Sequence, residues 1–186
     1  MSEKDWKILY DNCMNCKKCG LCAGRKNVVF GTGNKDARLM FVGEAPGEQE
    51  DLQGIPFVGA AGKLFDKYLY AVGLCRNDVY IANILKCRPP HNRDPKPEEQ
   101  DMCIEYLREQ TRLIKPEIIV CLGRISAMRI IKPDFKITKE HGKWFKKGGI
   151  NMCAVYHPSA LLRDETKKET TLSDFIMIKK VYDNGL

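Results

Sequence analysis

Four short apolar runs punctuate the chain: Leu39–Val42, Val79–Ile81, Ile118–Leu122 and Met152–Tyr156. Each is too short for a helix, and none alternates cleanly between apolar and polar residues. That pattern predicts strands buried on both faces, as in a parallel sheet. The segments between them have helical spacing. Gly62–Val72 predicts one helix. Pro97–Ile114 predicts another, with Met102, Tyr106 and Leu113 on one stripe and Cys103, Leu107 and Ile114 beside it. Pro97 followed by Glu98 and Glu99 suits a helix start, because proline lacks only an N–H that would be unpaired there and acids favour the positive end of the helix. Gly123–Ile131 predicts a third helix, stopped before Pro133. Thr171–Tyr182 predicts a C-terminal one with Leu172, Phe175 and Ile176 inward, and Ile137–Gly149 reads as a strand and turn. Strand–helix alternation of this kind predicts an α/β fold, a three-layer α/β/α sandwich around a four-stranded parallel sheet. The length of 186 residues suits a single domain, residues 1–186.

In open parallel sheets ligands bind beyond the carboxyl ends of the strands. Past the four predicted ends lie Gly43-Glu44-Ala45-Pro46, Asn83, Gly123-Arg124 and His157-Pro158-Ser159. The stretch Val42–Gly62 adds glycines, the acids Glu44, Glu48, Glu50 and Asp51, and the flat apolar ring of Phe57. Glycines let backbone N–H groups approach a ligand closely. This mixture points to a pocket for a small molecule or a base. It is not a nucleotide P-loop: Phe57 stands five residues before Gly62, where a glycine is needed, and Leu64 replaces the Ser or Thr.

Hydrophobic residues make up 44% of the chain, enough for a core, and no apolar run is long enough to span a membrane. The N-terminus MSEKDWKI is charged and lacks a secretory apolar region, so a cytoplasmic protein is expected. A net charge of +7 is compatible with a nucleic-acid partner. Nine cysteines is high for this length, and the odd number argues against a full disulfide framework. Cys13, Cys16, Cys19 and Cys22 recur every three residues, while Cys87 and Cys103 flank the loop Arg88–Pro95. This spacing suits a metal site, either from the N-terminal four alone or from one N-terminal pair closed by Cys87 and Cys103. Spacing does not separate iron–sulfur from zinc. Cys75, Cys121 and Cys153 read as structural.

Several motifs occur in order: Val28-Val29-Phe30-Gly31, the GEAPGEQED loop from Gly43, Gly54-Ile55-Pro56-Phe57-Val58-Gly59, Tyr80-Ile81-Ala82-Asn83, Lys86-Cys87-Arg88-Pro89-Pro90-His91-Asn92-Arg93 and His157-Pro158-Ser159-Ala160-Leu161-Leu162-Arg163. Together they resemble the class-four uracil-DNA glycosylases, the iron–sulfur type found in bacteria and archaea. The likeness runs from Cys16 to the final helix.

The resemblance implies hydrolysis of the N-glycosidic bond of uracil in DNA, and a [4Fe–4S] cluster on Cys16, Cys19, Cys87 and Cys103. Cys13 and Cys22 would be extra thiols at its edge, and residues 1–30 would form a segment contributing to the cluster. A base inside the stack is out of reach, so it must be flipped out. Phe57 would stack on it. Asn83 would pair with O4 and N3–H of uracil. Cytosine reverses both groups, and each unpaired buried polar group costs ~1–3 kcal/mol. His157 would donate to O2 as charge grows there. Ala45 stands where better-known relatives carry a catalytic Asp. Glu44 and Glu50 are the nearby carboxylates, with the water-orienting role open between them. Glu50 is also suited to crowding the C5 position against thymine. Leu161 and Leu162 would supply an apolar wedge, with Ser159 and Arg163 on flanking phosphates. One pocket within one chain suggests a monomer. Two other classes compete: an iron–sulfur electron carrier, which has no use for Asn83 or HPSALLR, and a non-catalytic DNA-binding module with zinc.

Overall fold

A computed structural model describes Glu3–Gly185. The elements in chain order are α1 (Glu3–Met14), β1 (Thr32–Gly33), β2 (Leu39–Gly43), α2 (Glu48–Gln53), α3 (Ala60–Ala71), β3 (Tyr80–Asn83), α4 (Pro97–Ile114), β4 (Ile118–Leu122), α5 (Arg124–Ile130), α6 (Ile137–Glu140), β5 (Phe145–Lys147), β6 (Ile150–Val155), α7 (Pro158–Arg163) and α8 (Lys168–Asn184). The sheet has six strands in the order β1-β3-β2-β4-β6-β5. The four expected strands are its parallel centre, and the two-residue β1 and three-residue β5 add antiparallel edges. The β1 edge was not legible, because Thr32–Gly33 has no period; β5 lies within Ile137–Gly149, the segment read as a strand and turn, and is the part of it that forms strand.

The continuous apolar runs follow from burial on both faces. Met40, Val42, Tyr80, Ala82, Ile119, Cys121, Met152 and Ala154 point to one face, where α1, α4 and α5 pack. Leu39, Phe41, Ile81, Val120, Cys153 and Val155 point to the other, under α3, α7 and α8. This is the expected three-layer arrangement. Helix α1 was not foreseen. It buries Trp6, Leu9 and Cys13, and Trp6 meets Phe30 and Tyr80 edge-on at 5.5 and 5.7 Å.

Three expectations change. Ile137–Glu140 is a helical turn rather than strand, because Glu140 accepts the Lys136 N–H at 2.9 Å and pairs with Lys132 at 2.6 Å, closing the turn. The acid-rich loop contains α2, whose Glu48, Glu50 and Asp51 occupy the favourable positive end. Of the expected inward residues of α8, Phe175 is buried and Leu172 packs against the core, joined by Ile178 and Val181, while Ile176 is exposed.

Two long-range ties shape the segment before α3. Asp51, 3% exposed, accepts the backbone N–H groups of Lys26 and Asn27 and so anchors the N-terminal segment. Arg76 donates to the carbonyls of Pro56 and Phe57 and pairs with Asp66 at 2.7 Å. These bonds hold Phe57 at φ 56°, a left-handed conformation that non-glycine residues adopt only when their surroundings over-determine it. The Phe57 carbonyl lies so close to the first turn of α3 that a Cβ on Gly62 would sit 1.7 Å from its oxygen. Gly62→Ala therefore displaces the loop. Overpacking of this kind costs about 1–3 kcal/mol. Thermal unfolding followed by circular dichroism should show the melting temperature falling by roughly 2–4 °C per kcal/mol.

Candidate active site and cysteine-lined cavity

The carboxyl ends of β2, β3, β4 and β6 open into a cleft of about 510 Å³. Glu44, Ala45, Glu50, Phe57, Asn83, His157, Ser159 and Arg163 all line it. The residues singled out at the strand ends thus meet in one place.

Asn83 closes the floor. It is 2% exposed, and its Oδ1 is buried with no hydrogen-bond partner among the described residues. An orphaned buried acceptor costs about 1–3 kcal/mol, so this atom is suited to a donor that arrives with a ligand. Gly43, paired with Asn83 across the sheet, provides the room. A Cβ there would lie 2.3 Å from Asn83 Oδ1 and 2.6 Å from Phe57 Cζ. The amide and the aromatic ring therefore converge over one bare Cα. Phe57 is itself buried, against Phe65 at 5.5 Å, and its ring is tilted 34° to that of His157 at 5.7 Å.

His157 follows β6 and caps α7. Its Nδ1 accepts the Ser159 N–H at 3.1 Å and lies 2.8 Å from Ser159 Oγ. An accepting Nδ1 carries no proton, so the neutral ring holds its hydrogen on Nε2. Burial, helped by the charge of Arg163 and opposed by Glu50, lowers the pKa of His157 to about 4. Ser159 is accordingly engaged in orienting His157.

The two carboxylates differ in kind. Glu50 Oε1 accepts the backbone N–H groups of Val58 and Gly59 at 2.9 and 2.8 Å. It braces the Phe57 loop against α2. Glu44 has no side-chain hydrogen bond among the described residues, and its carbonyl accepts from Leu85 at 3.0 Å. Burial, then the charge of Asp94, raises its pKa to about 7, with Arg124 opposing. Arg124 and Asp94 pair at 3.0 Å.

On α7 the two leucines separate. Leu161 is 0% exposed and belongs to the core, so it is not placed to enter DNA; Leu162 is 47% exposed, beside the exposed Arg163. The basic loop is largely tied down: Arg93 forks onto Glu99, and Arg88 bonds Asn92 and faces Glu48 at 3.5 Å. His141 pairs with Asp174 at 2.8 Å.

Cys13, Cys16, Cys19, Cys22, Cys87 and Cys103 line a second cavity. Cys16, Cys19, Cys87 and Cys103 are among them, whereas Cys121 and Cys153 are buried in strands and Cys75 is exposed. Arg25 Nη1 donates to Cys87 Sγ and the Lys86 N–H to Cys103 Sγ, each at 3.3 Å. Burial pushes Cys13 up to about 12 and Cys103 up to about 11, with Lys86 opposing in both cases; the Cys87 thiol is raised too, against the pull of Arg25. No three His, Cys, Asp or Glu side chains among the described residues close on one point as around a single ion. Thiols gathered round one cavity, with N–H donors aimed at sulfur, are a donor set that fits an iron–sulfur cluster. The bracing roles of Glu50 and Arg76, and the burial of Lys86, were not readable from the sequence, because each depends on a partner distant along the chain or on a loop conformation.

Residues 30–177 match the uracil DNA glycosylase superfamily. The chain is 48% identical over 172 residues to the type-4 uracil-DNA glycosylase of Archaeoglobus fulgidus, covering 87% of this chain and 85% of that one. It is 43% identical to the type-4 uracil-DNA glycosylase of Thermotoga maritima, covering 89% and 88%. A type-5 uracil-DNA glycosylase of Pyrobaculum aerophilum is 35% identical, over 69% of this chain and 64% of that one. With this coverage at both ends of the alignment, and with the strand-end pocket in place, the chain belongs to the type-4 uracil-DNA glycosylases.

Proposed function

We propose that this chain hydrolyses the N-glycosidic bond of uracil in DNA, releasing free uracil and leaving an abasic site. The observation that carries the reading is the unpartnered Asn83 Oδ1, buried opposite Phe57 over Gly43. A flipped uracil would lie on the Phe57 ring. Its N3–H would donate to Asn83 Oδ1, and its O4 would accept from Asn83 Nδ2. Cytosine has an acceptor at N3 and a donor at the neighbouring position, and both would be mismatched against this amide.

As the C1′–N1 bond breaks, electrons flow into the ring and charge accumulates on O2. The Nε2–H of neutral His157 is suited to meet it. A neutral donor here shares the charge without holding a buried cation against Arg163. Removing one preorganised donor of this type costs about 10²–10³ in rate. Water would then add to C1′, and Glu44 is the carboxylate free to take its proton. With Oε1 of Glu50 already accepting two backbone N–H groups, its role is to hold Phe57 and Gly59 in place. Leu162 would fill the gap left in the helix and Arg163 would bind a flanking phosphate.

Cys16, Cys19, Cys87 and Cys103 would hold a [4Fe–4S] cluster, with Cys13 and Cys22 beside it. The cluster would supply four covalent ties that fasten the segment 1–30 to the loop before α4. The chain is read as one catalytic unit acting alone.

Uracil-containing oligonucleotides, single- and double-stranded, test the reading. Anaerobically purified protein should create alkali-labile sites, and Asn83→Ala and His157→Ala should each lower single-turnover rates by about 10²-fold or more; no uracil release by folded, brown protein would refute it. The pH dependence has a defined sign. A base with a pKa of about 7 is ionised above that value, so the rate should rise as pH increases through 7. Glu44→Gln should abolish that rise. His157 should stay neutral down to about pH 4 by NMR titration, with its proton on Nε2. Because the unfolded histidine takes up its proton nearer 6.5, this group makes the fold less stable as pH falls from about 6.5 towards 4.

A further inference from the structure

Lys86 is 1% exposed and lines the cysteine-lined cavity. Its Nζ donates to the Phe30 carbonyl at 3.0 Å, the Asn83 carbonyl at 3.0 Å and Gln110 Oε1 at 2.7 Å. All three ammonium hydrogens are used, and every acceptor is neutral. Among the described residues no carboxylate bonds to it; the ionisable groups that act on its charge are the thiols of Cys13 and Cys103. A buried ammonium without a counter-charge is costly, and hydrogen bonds alone do not remove that cost. Its main chain is placed equally tightly. The Lys86 N–H donates to Cys103 Sγ, its carbonyl accepts from Val29 at 2.8 Å, and Cys87 is the next residue. One residue therefore joins the N-terminal segment, the end of β3, α4 and both distal thiols. Gln110, 0% exposed, completes the junction by donating to the Phe30 carbonyl and to Tyr80 Oη.

We propose that Lys86 is a positioning residue that couples the cysteine site to uracil recognition: its charge is balanced by the cluster's thiolates, and its ammonium fixes the Asn83 main chain. The inference rests on the uracil-excision reading and on a cluster in the cysteine-lined cavity. The thiolates carry net negative charge when they hold iron, and this interior cation then has its partner. The same ammonium sets where the Asn83 peptide, and hence its amide, stands at the cleft floor.

The test uses cluster-loaded protein with Lys86→Met, Asn83→Ala and the double variant. Protein-film voltammetry reads the cluster's midpoint potential, and inhibition by free uracil reads the pocket. Removing a nearby cation destabilises the more reduced, more negative cluster, so Lys86→Met should move the midpoint to a more negative potential. Uracil inhibition should weaken about tenfold, the size of one lost polar contact. In the Asn83→Ala background Lys86→Met should weaken it no further. If Lys86→Met does not fold, Gln110→Ala loosens the same ammonium while keeping its charge. Uracil inhibition should then weaken severalfold, again with no added effect on Asn83→Ala. An unchanged potential, or losses that add in the double variant, would overturn the proposal. Should wild-type protein neither release uracil nor bind it, the functional reading fails by itself, and the potential of Lys86→Met still reports on the cation.

Discussion

The close approach of Gly43, Asn83 and Phe57 sets the dimensions on which the rest of the cleft depends. With a Cβ at position 43 excluded by the Asn83 amide and the Phe57 ring, the two groups proposed to read the base lie within van der Waals reach of one backbone. The parallel pairing of Gly43 with Asn83 fixes one of them. The other sits on a loop, and loops move unless held. Here Glu50 on α2 holds it by the Val58 and Gly59 N–H groups and Arg76 by the Pro56 and Phe57 carbonyls, which keeps Phe57 in its left-handed conformation. A residue eight positions before Val58 and another nineteen after Phe57 thus determine a flat wall of the pocket.

Electrostatics divides the work among groups that look interchangeable on paper. His157 and Glu44 both lie at strand ends, and burial is the main influence on each. Burial favours the uncharged form, so it lowers the histidine and raises the carboxylate. The outcome at neutral pH is a histidine without charge and a glutamate near its midpoint. A neutral donor and a mildly basic acceptor are suited to the proposed cleavage of a base from its sugar. The Ser159 N–H adds a geometric fact to the electrostatic one by fixing which nitrogen of His157 faces outward.

The strands were legible because they are buried on both faces and therefore uninterrupted by polar residues. Asn83 and His157 stood out for a related reason, as polar residues at the ends of such runs. Helix α4 was bounded correctly by Pro97 at its start; its end at Ile114 coincides with Lys115 in the left-handed region. Edge strand β1 was not readable, being too short to show a period, whereas β5 falls inside the segment Ile137–Gly149 read as a strand and turn. Leu161 and Leu162 are neighbours of the same type, and only the phase of α7 on the sheet separates a core residue from an exposed one. Glu50 had the chemistry of a catalytic acid in the sequence, yet its partners are backbone N–H groups brought near by the loop's turn. In the sequence Lys86 stands only as the first residue of the motif that runs to Arg93. Its burial follows from three acceptors on separate elements, Phe30, Asn83 and Gln110, which no local pattern announces.

The proposed recognition of uracil depends on Asn83 reading the imide edge of the base. A crystal structure of the protein with free uracil tests that most directly. It should show N3 about 2.9 Å from Asn83 Oδ1, O2 facing His157 Nε2 and the ring lying on Phe57. Uracil bound elsewhere, or with its imide edge turned away from Asn83, would contradict it.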